Sequence, residues 1–512
     1  MVVLTKQKTG ASFTAGVAMM TMSALLVKLI GVCYKIPLVN LLGTQGMGYF
    51  NAAYDVYALL CVLSTTGLPV AISVVMNQYQ GQHKRIYWLS LCASIVIGVL
   101  GTGIVFFGAD FIAIRIGAPQ AAQSLRFIAP AILFICISGA MRGYYQGKRN
   151  MLPSAVSQVI EAAGKLLFGL VFAYIAIRYE QSVATAAACA VLGLSIGTLL
   201  CMIYLLICGK PDSVNERRGT TGDILKELLK IAFPVTLGAL LSGLSRIIDL
   251  ALIMRRLQDA GATEQHAVSA YGCYSSMVIP LFNAIPALFS SLAMPLVPHL
   301  NHAIIQRNVK QQQDIIGTTF RLSALISIPS ALGLGMLSDR ILHILFHDSS
   351  EISQATVLLI VISIALPASC MITATSAVLQ AYKKVWIPML STASGCVIKA
   401  VLLYIMIPQM GILAAPFSTL ICCLWIVCIN LFVIAKTAPK FFFLRCWISV
   451  LSISVISIGI AAIVKRLMQN YVSSPIVIVL IVVLPAVLIY GIMTYKFGLL
   501  RDFDKRKKRE KE

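Results

Sequence analysis

Nine ionisable side chains stand inside stretches that are otherwise apolar: Lys28, Lys35, Asp55, Arg142, Glu161, Lys165, Arg246, Asp249 and Lys399. An ionisable group near the middle of a bilayer costs at least about 2.5–3.5 kcal/mol on insertion scales, so such groups face a partner or a cavity. Cations outnumber anions among them. That balance suits an anionic ligand, most simply a phosphate or diphosphate.

Two readings of these residues stand open. Glu161 and Lys165 lie four apart on one helical face, and Arg246 and Asp249 three apart, so each pair can neutralise itself and tie helices together. Arg142 closes its span and can snorkel to the headgroups. Lys28 and Lys399 sit deep and have no partner within their own helix, so a wet cavity is expected around them. Lys35 and Asp55 fall at similar depth on neighbouring spans. All nine are candidate substrate-contacting residues.

Other chemistry is missing. There is no G-x-x-x-x-G-K-[ST] loop, so this chain carries no ATPase engine. Gly43–Gly48 reads as a tight connection between spans, not a phosphate cradle. His299/His302 and His343/His347 have helical spacing but stand at span ends, and no metal or other cofactor is expected. The 14 cysteines lie mostly inside apolar segments, none in a C-x-x-C pair, and read as small buried hydrophobes. Asp110 lacks an acidic neighbour, and no outer connection has room for a sugar-transferring domain, so an enzyme is not expected.

The elements that carry the charged residues must be membrane helices. The chain is 59% hydrophobic and 12% charged, too apolar for a soluble domain of 512 residues. Its apolar runs are continuous, not alternating, which favours helices over a barrel. Fourteen spans are expected, at about 13–39, 49–76, 87–108, 125–145, 153–176, 183–207, 230–254, 268–296, 317–338, 354–380, 388–407, 410–435, 443–465 and 474–496. The first follows Lys6 and Lys8 without a small-residue cleavage site and reads as a retained helix.

The net charge of +22 invites comparison with nucleic-acid binders. Aromatic residues do not interleave with the basic runs, and a nucleic-acid partner is not expected. The basic residues instead favour alternate connections. Lys84, Arg85, Lys148, Arg149, Lys210, Arg217, Arg218, Lys226 and the tail Lys505–Lys511 fall on one side; Arg115, Arg178, Arg255, Arg256, Arg340 and Arg466 fall on the other. That asymmetry puts both termini in the cytoplasm, with the tail near anionic membrane lipids.

The sequence also repeats. Tyr54, Tyr57, Pro69 and Ser73 recur at the same intervals as Tyr271, Tyr274, Pro286 and Ser290. More loosely, Gln146, Pro153 and Lys165 are echoed by Gln380, Pro388 and Lys399. Each echo is six spans apart, which keeps membrane orientation and implies parallel repeats. The expected architecture is an all-α integral membrane protein. It has an N-terminal lobe (1–208), a cytoplasmic linker (209–229), a C-terminal lobe (230–436), and two extra helices with a basic tail (437–512). A substrate is expected between the lobes.

Fourteen spans, a six-plus-six duplication and intramembrane cations resemble the multidrug/oligosaccharidyl-lipid/polysaccharide flippase superfamily. The segments GTQGMGYFNAAYDVYALLCVLSTTGLPVAIS (43–73) and MRGYYQGKRNMLPSAVSQVIEAAGK (141–165) resemble its branch of stage V sporulation protein B-like polysaccharide exporters and Gram-positive lipid II flippases. The resemblance implies export of an undecaprenyl-diphosphate-linked sugar intermediate, lipid II or a polysaccharide precursor, by a monomer embedded in membrane lipids. Basic residues of the first helix line the cavity in lipid II flippases, and Lys28 and Lys35 match in location. Lysine supplies a point charge where arginine would supply a fork. Some relatives bind sodium, for which Asp249 is a candidate ligand, with Arg246 and Lys399 as alternative sources of positive charge. The competing reading is a cation-coupled multidrug antiporter of the same fold, which would want an acidic cavity.

Overall fold

The computed structural model describes residues 2–79, 81–208, 221–293, 296–346, 351–439, 444–468 and 475–497. Expectations for residues 209–220 of the linker, for His347 and for the basic tail lie outside the described residues.

The described residues are helical, with no strand among them. This is the only way so apolar a chain satisfies its backbone internally without a closed barrel. Among the described residues ten helices are long and apolar enough to cross a membrane, or twelve if two bent pairs each count as one span. Fourteen were expected, and the shortfall has a physical origin. Met19–Val62 spans 44 residues with a break at Gly43 inside it. Trp386–Thr437 likewise spans 52 residues and is broken at Gly411–Leu413 into two helices that pack on each other. Each is about twice the length that one crossing of a roughly 30 Å core needs.

Contacts divide the chain into two units, 1–272 and 273–512. The first begins with α1 (Val2–Val62), which contains the expected connection at 43–48. No turn of several residues forms there. The helix is interrupted at Gly43 alone, whose φ of 64° and ψ of −177° are open to a residue without Cβ. A π-helical turn, Leu63–Gly67, follows. Thr65 and Thr66 donate their hydroxyls back to the carbonyls of Cys61 and Val62, the local bonding that loosens a helix. Pro69 then opens α2 (Leu68–Gln78), where its missing N–H costs nothing.

Next come α3 (His83–Phe107), α4 (Ala109–Arg115), α5 (Ala122–Gly147), α6 (Leu152–Arg178) and α7 (Val183–Ile207). The helix α6 packs along α7 and α1, and α5 packs on α2, α3 and α7. Then α8 (Thr221–Asp259) bends by 46° between Leu241 and Gly243, and α9 (Glu264–Cys273) follows. Because α8 packs on α1 and α2, the contacts divide at Gly272 and not in the 209–229 linker.

The second unit continues through a π-helical turn (Tyr274–Val278), α10 (Ile279–Ala293), α11 (Leu296–Ile305) and α12 (Val309–Leu345). After these come α13 (Ile352–Ser363), α14 (Leu366–Ala381), α15 (Trp386–Met410), α16 (Ala414–Thr437), α17 (Leu444–Met468) and α18 (Pro475–Lys496). The helix α12 touches α13, α14, α17 and α18, and α15 pairs with α16.

The internal repeat is visible as matching local geometry. Ser73 donates to the Val70 carbonyl at 2.8 Å and Ser290 to the Ala287 carbonyl at 2.8 Å. After α5, Arg149 adopts φ 61° and its N–H donates to the Gln146 carbonyl. After α14, Lys383 adopts φ 60° and donates to the Gln380 carbonyl. Both junctions are helix ends closed by one left-handed residue.

Candidate functional site

The charged residues of the first unit separate into two groups. In the first, Arg142 of α5 is buried and crosses to α6. One terminal nitrogen lies 2.8 Å from Glu161 Oε2 and 3.1 Å from Cys201 Sγ, and Nε donates to Ser157 Oγ at 2.9 Å. So the guanidinium does not snorkel to a headgroup. It uses a fork of donors where three helices meet, and it takes the carboxylate that the i,i+4 spacing offered to Lys165.

Lys165 is therefore left for other partners. Its ammonium sits 4.4 Å from the ring centroid of Tyr54 and 5.0 Å from that of Tyr34. Among the described residues no carboxylate lies within ion-pair reach of it. Lys35, one position beyond Tyr34, is half-buried and within electrostatic range of Asp55, Lys165 and Arg246. Asp55 is within range of Lys35, Arg246 and Asp249. Tyr271 of α9 donates to Asp55 Oδ2 at 2.6 Å, and both side chains are buried. Asp249 is buried on α8, and Arg246, one turn earlier, is exposed.

The structure thus gathers Lys35, Asp55, Lys165, Arg246 and Asp249 into one electrostatic cluster, and joins Arg142 to Glu161 beside it. Lys28 stands apart, exposed on α1 two turns before Lys35. Lys399, expected to meet water, is 2% exposed on α15 of the second unit. In that unit a neutral network joins three helices: Ser391 donates to Asn430 Oδ1 at 2.8 Å, and Asn430 Nδ2 donates to Thr375 at 3.1 Å.

Sequence reasoning missed Tyr34 and the bond of Tyr271 to Asp55. Tyr54 and Tyr271 were visible as a repeated pair; the structure puts one under an ammonium and the other on a carboxylate. Metal chemistry has no described support: no group of three or more His, Cys, Asp or Glu able to hold an ion occurs among the described residues.

Three cations and two carboxylates thus stand within electrostatic range of one another's group among membrane helices. Fold and site together describe a multi-pass helical membrane protein of the transporter kind. Residues 13–303, more than half of the chain, match the model of the polysaccharide biosynthesis protein family, and residues 260–405 match the MatE family. The chain belongs to the polysaccharide biosynthesis protein family, within the multidrug/oligosaccharidyl-lipid/polysaccharide flippase superfamily.

Similar proteins include three from Bacillus subtilis strain 168. An uncharacterized membrane protein, YabM, is 26% identical over 79% of this chain and 76% of its own length. Stage V sporulation protein B is 24% identical over 84% of each. Lipid II flippase MurJ is 23% identical over 76% of each. Among solved structures, lipid II flippase MurJ in an inward closed conformation superposes with a TM-score of 0.71, at 17% identity, covering 94% of this chain and 99% of that one. An inward-facing multidrug resistance MATE transporter gives 0.66, at 15% identity, covering 81% and 96%.

Proposed function

We propose that this chain is a flippase that moves a polyprenyl-diphosphate-linked sugar intermediate, lipid II or a polysaccharide precursor, across the cytoplasmic membrane. The observation that carries the reading is that Lys35 stands within electrostatic range of both Lys165 and Arg246, with Asp55 and Asp249 as the carboxylates of the same group among the described residues, in a chain of this family. An excess of positive charge in a low-dielectric setting favours a ligand that brings its own negative charge. In this reading the diphosphate is held by the cations, the lipid tail remains in the bilayer, and alternating access of two duplicated lobes carries the headgroup across. No covalent bond is made or broken, so the chain is not an enzyme. Both termini face the cytoplasm, as the distribution of Lys and Arg favours, and the protein works as a monomer.

The test is reconstitution in liposomes with a fluorescent lipid-linked sugar and an impermeant quencher. The expected result is protein-dependent translocation that falls at least tenfold in Lys35→Ala. Translocation absent from well-folded wild-type protein would overturn the reading. The MatE match and the MATE-like fold favour one alternative, a multidrug antiporter. Efflux of cationic drugs from the same liposomes, without lipid translocation, would establish it instead.

A further inference from the structure

We propose that Tyr34 and Tyr54 are positioning residues that hold the Lys165 ammonium ready as a phosphate-binding point for the substrate diphosphate. This rests on the flippase reading above and adds to it a site with a defined construction.

Three observations carry it. First, the Lys165 ammonium lies over two tyrosine faces and, among the described residues, has neither a carboxylate nor a hydrogen-bond acceptor. Ring faces attract the charge without neutralising it. The ammonium keeps its full positive charge, and the N–H groups that do not face the rings stay available to a ligand.

Second, the rings are themselves fixed. Tyr54 stacks on Phe50 with centroids 5.9 Å apart and planes 14° apart, and Phe50 meets Tyr34 at 6.1 Å. The Tyr34 hydroxyl reaches Gly169, one turn beyond Lys165 on α6; a Cβ there would stand 2.8 Å from it. The ring fits under α6 because that position has no side chain.

Third, the acid that helical spacing would give to Lys165 is withheld. Glu161 is bound by Arg142 at 2.8 Å. Lys35 and Arg246 lie within electrostatic range of each other, and Lys35 within range of Lys165. Like charges held together in a membrane are unfavourable alone and are relieved by a multiply charged anion. A diphosphate brings two phosphate groups to cations spread over α1, α6 and α8.

The experiment uses the full chain in lipid nanodiscs, with inorganic pyrophosphate as the calorimetric probe and the liposome translocation assay in parallel. Wild type is expected to bind pyrophosphate. The pair Tyr34→Leu/Tyr54→Leu should raise Kd about tenfold, through loss of two cation–ring contacts. Tyr54→Phe, which keeps the ring, should stay within about twofold of wild type. Lys165→Gln should weaken binding at least as much as the double leucine change. Adding the leucines to Lys165→Gln should then change nothing further, a coupling that a merely structural role would not produce.

The inference is overturned if the folded Leu/Leu variant binds like wild type, or if its effect simply adds to that of Lys165→Gln. It is also overturned, with the flippase reading intact, if wild type translocates lipid-linked sugar but does not bind pyrophosphate. If wild type does neither, both fall together.

Discussion

Tyr271 donates a hydrogen bond of 2.6 Å to Asp55, joining α9 to α1 across 216 residues of sequence. The same two helices meet again at Thr44 and Ser269, whose hydroxyls lie 2.6 Å apart. The contact runs along the part of α1 that also carries Tyr54, so a charged group of the candidate site is tied directly to a helix–helix seam. Removing the phenol hydroxyl should loosen that seam. A hydrogen bond to a charged group contributes about 1.5–3 kcal/mol. Tyr271→Phe should therefore speed hydrogen exchange of the α9 amides by about tenfold or more. Exchange unchanged in that variant would mean that the bond does not hold the seam.

The seam also depends on close approach. A Cβ added to Gly272 would collide with the Thr44 carbonyl. Gly272→Ala should force α9 away from α1 at a cost of about 1–3 kcal/mol, the usual range for overpacking. Lower thermal stability and faster α9 exchange should both appear, although Asp55 and Tyr271 are intact. Wild-type behaviour in both measurements would show that the helices can shift freely here.

The Arg142–Glu161 pair behaves as structure in its geometry: it joins α5 to α6, and Ser157 and Cys201 accept further hydrogen bonds from the guanidinium. Arg142 is buried and Glu161 half-buried; removing one partner of a fully buried pair costs about 3–5 kcal/mol, an upper bound here, and replacing both by apolar groups is often neutral. Arg142→Met alone should lower the yield of folded protein sharply. Arg142→Met/Glu161→Leu should recover most of the thermal stability. A double variant as unstable as the single one would assign these side chains a task other than mutual neutralisation.

Much of this was legible in the sequence because membrane insertion is a local requirement. A run of about 20 apolar residues declares a helix wherever it occurs, and the Tyr–Pro–Ser spacing of 54–73 and 271–290 declares the duplication. What was not legible depends on which helices pack. Helical spacing offered Glu161 to Lys165, but a residue from α5 claims it. The Asp55–Tyr271 bond spans too long a separation for any periodicity to reveal. Lys399 repeats Lys165 in sequence, yet it is buried on α15, because burial follows the neighbours that each repeat acquired, not the repeat itself.

The two lysines of α1 give the sharpest comparison. Lys28 and Lys35 are seven residues apart on one helix and were equivalent candidates by type and location. Lys35 is half-buried and within electrostatic range of Asp55, Lys165 and Arg246; Lys28 is exposed and is not among the charges that act on Lys35. A charge inside the cluster acts strongly on an anion bound there, whereas one two turns away, about 10 Å along the helix, acts more weakly through distance. In the liposome assay, Lys35→Ala should reduce translocation at least tenfold, and Lys28→Ala should reduce it less than about threefold. The conservative Lys35→Arg should restore a substantial part, since the positive charge is retained. Equal losses from Lys28→Ala and Lys35→Ala would mean that the site extends two turns further along α1 and that the cluster around Lys165 is only part of it.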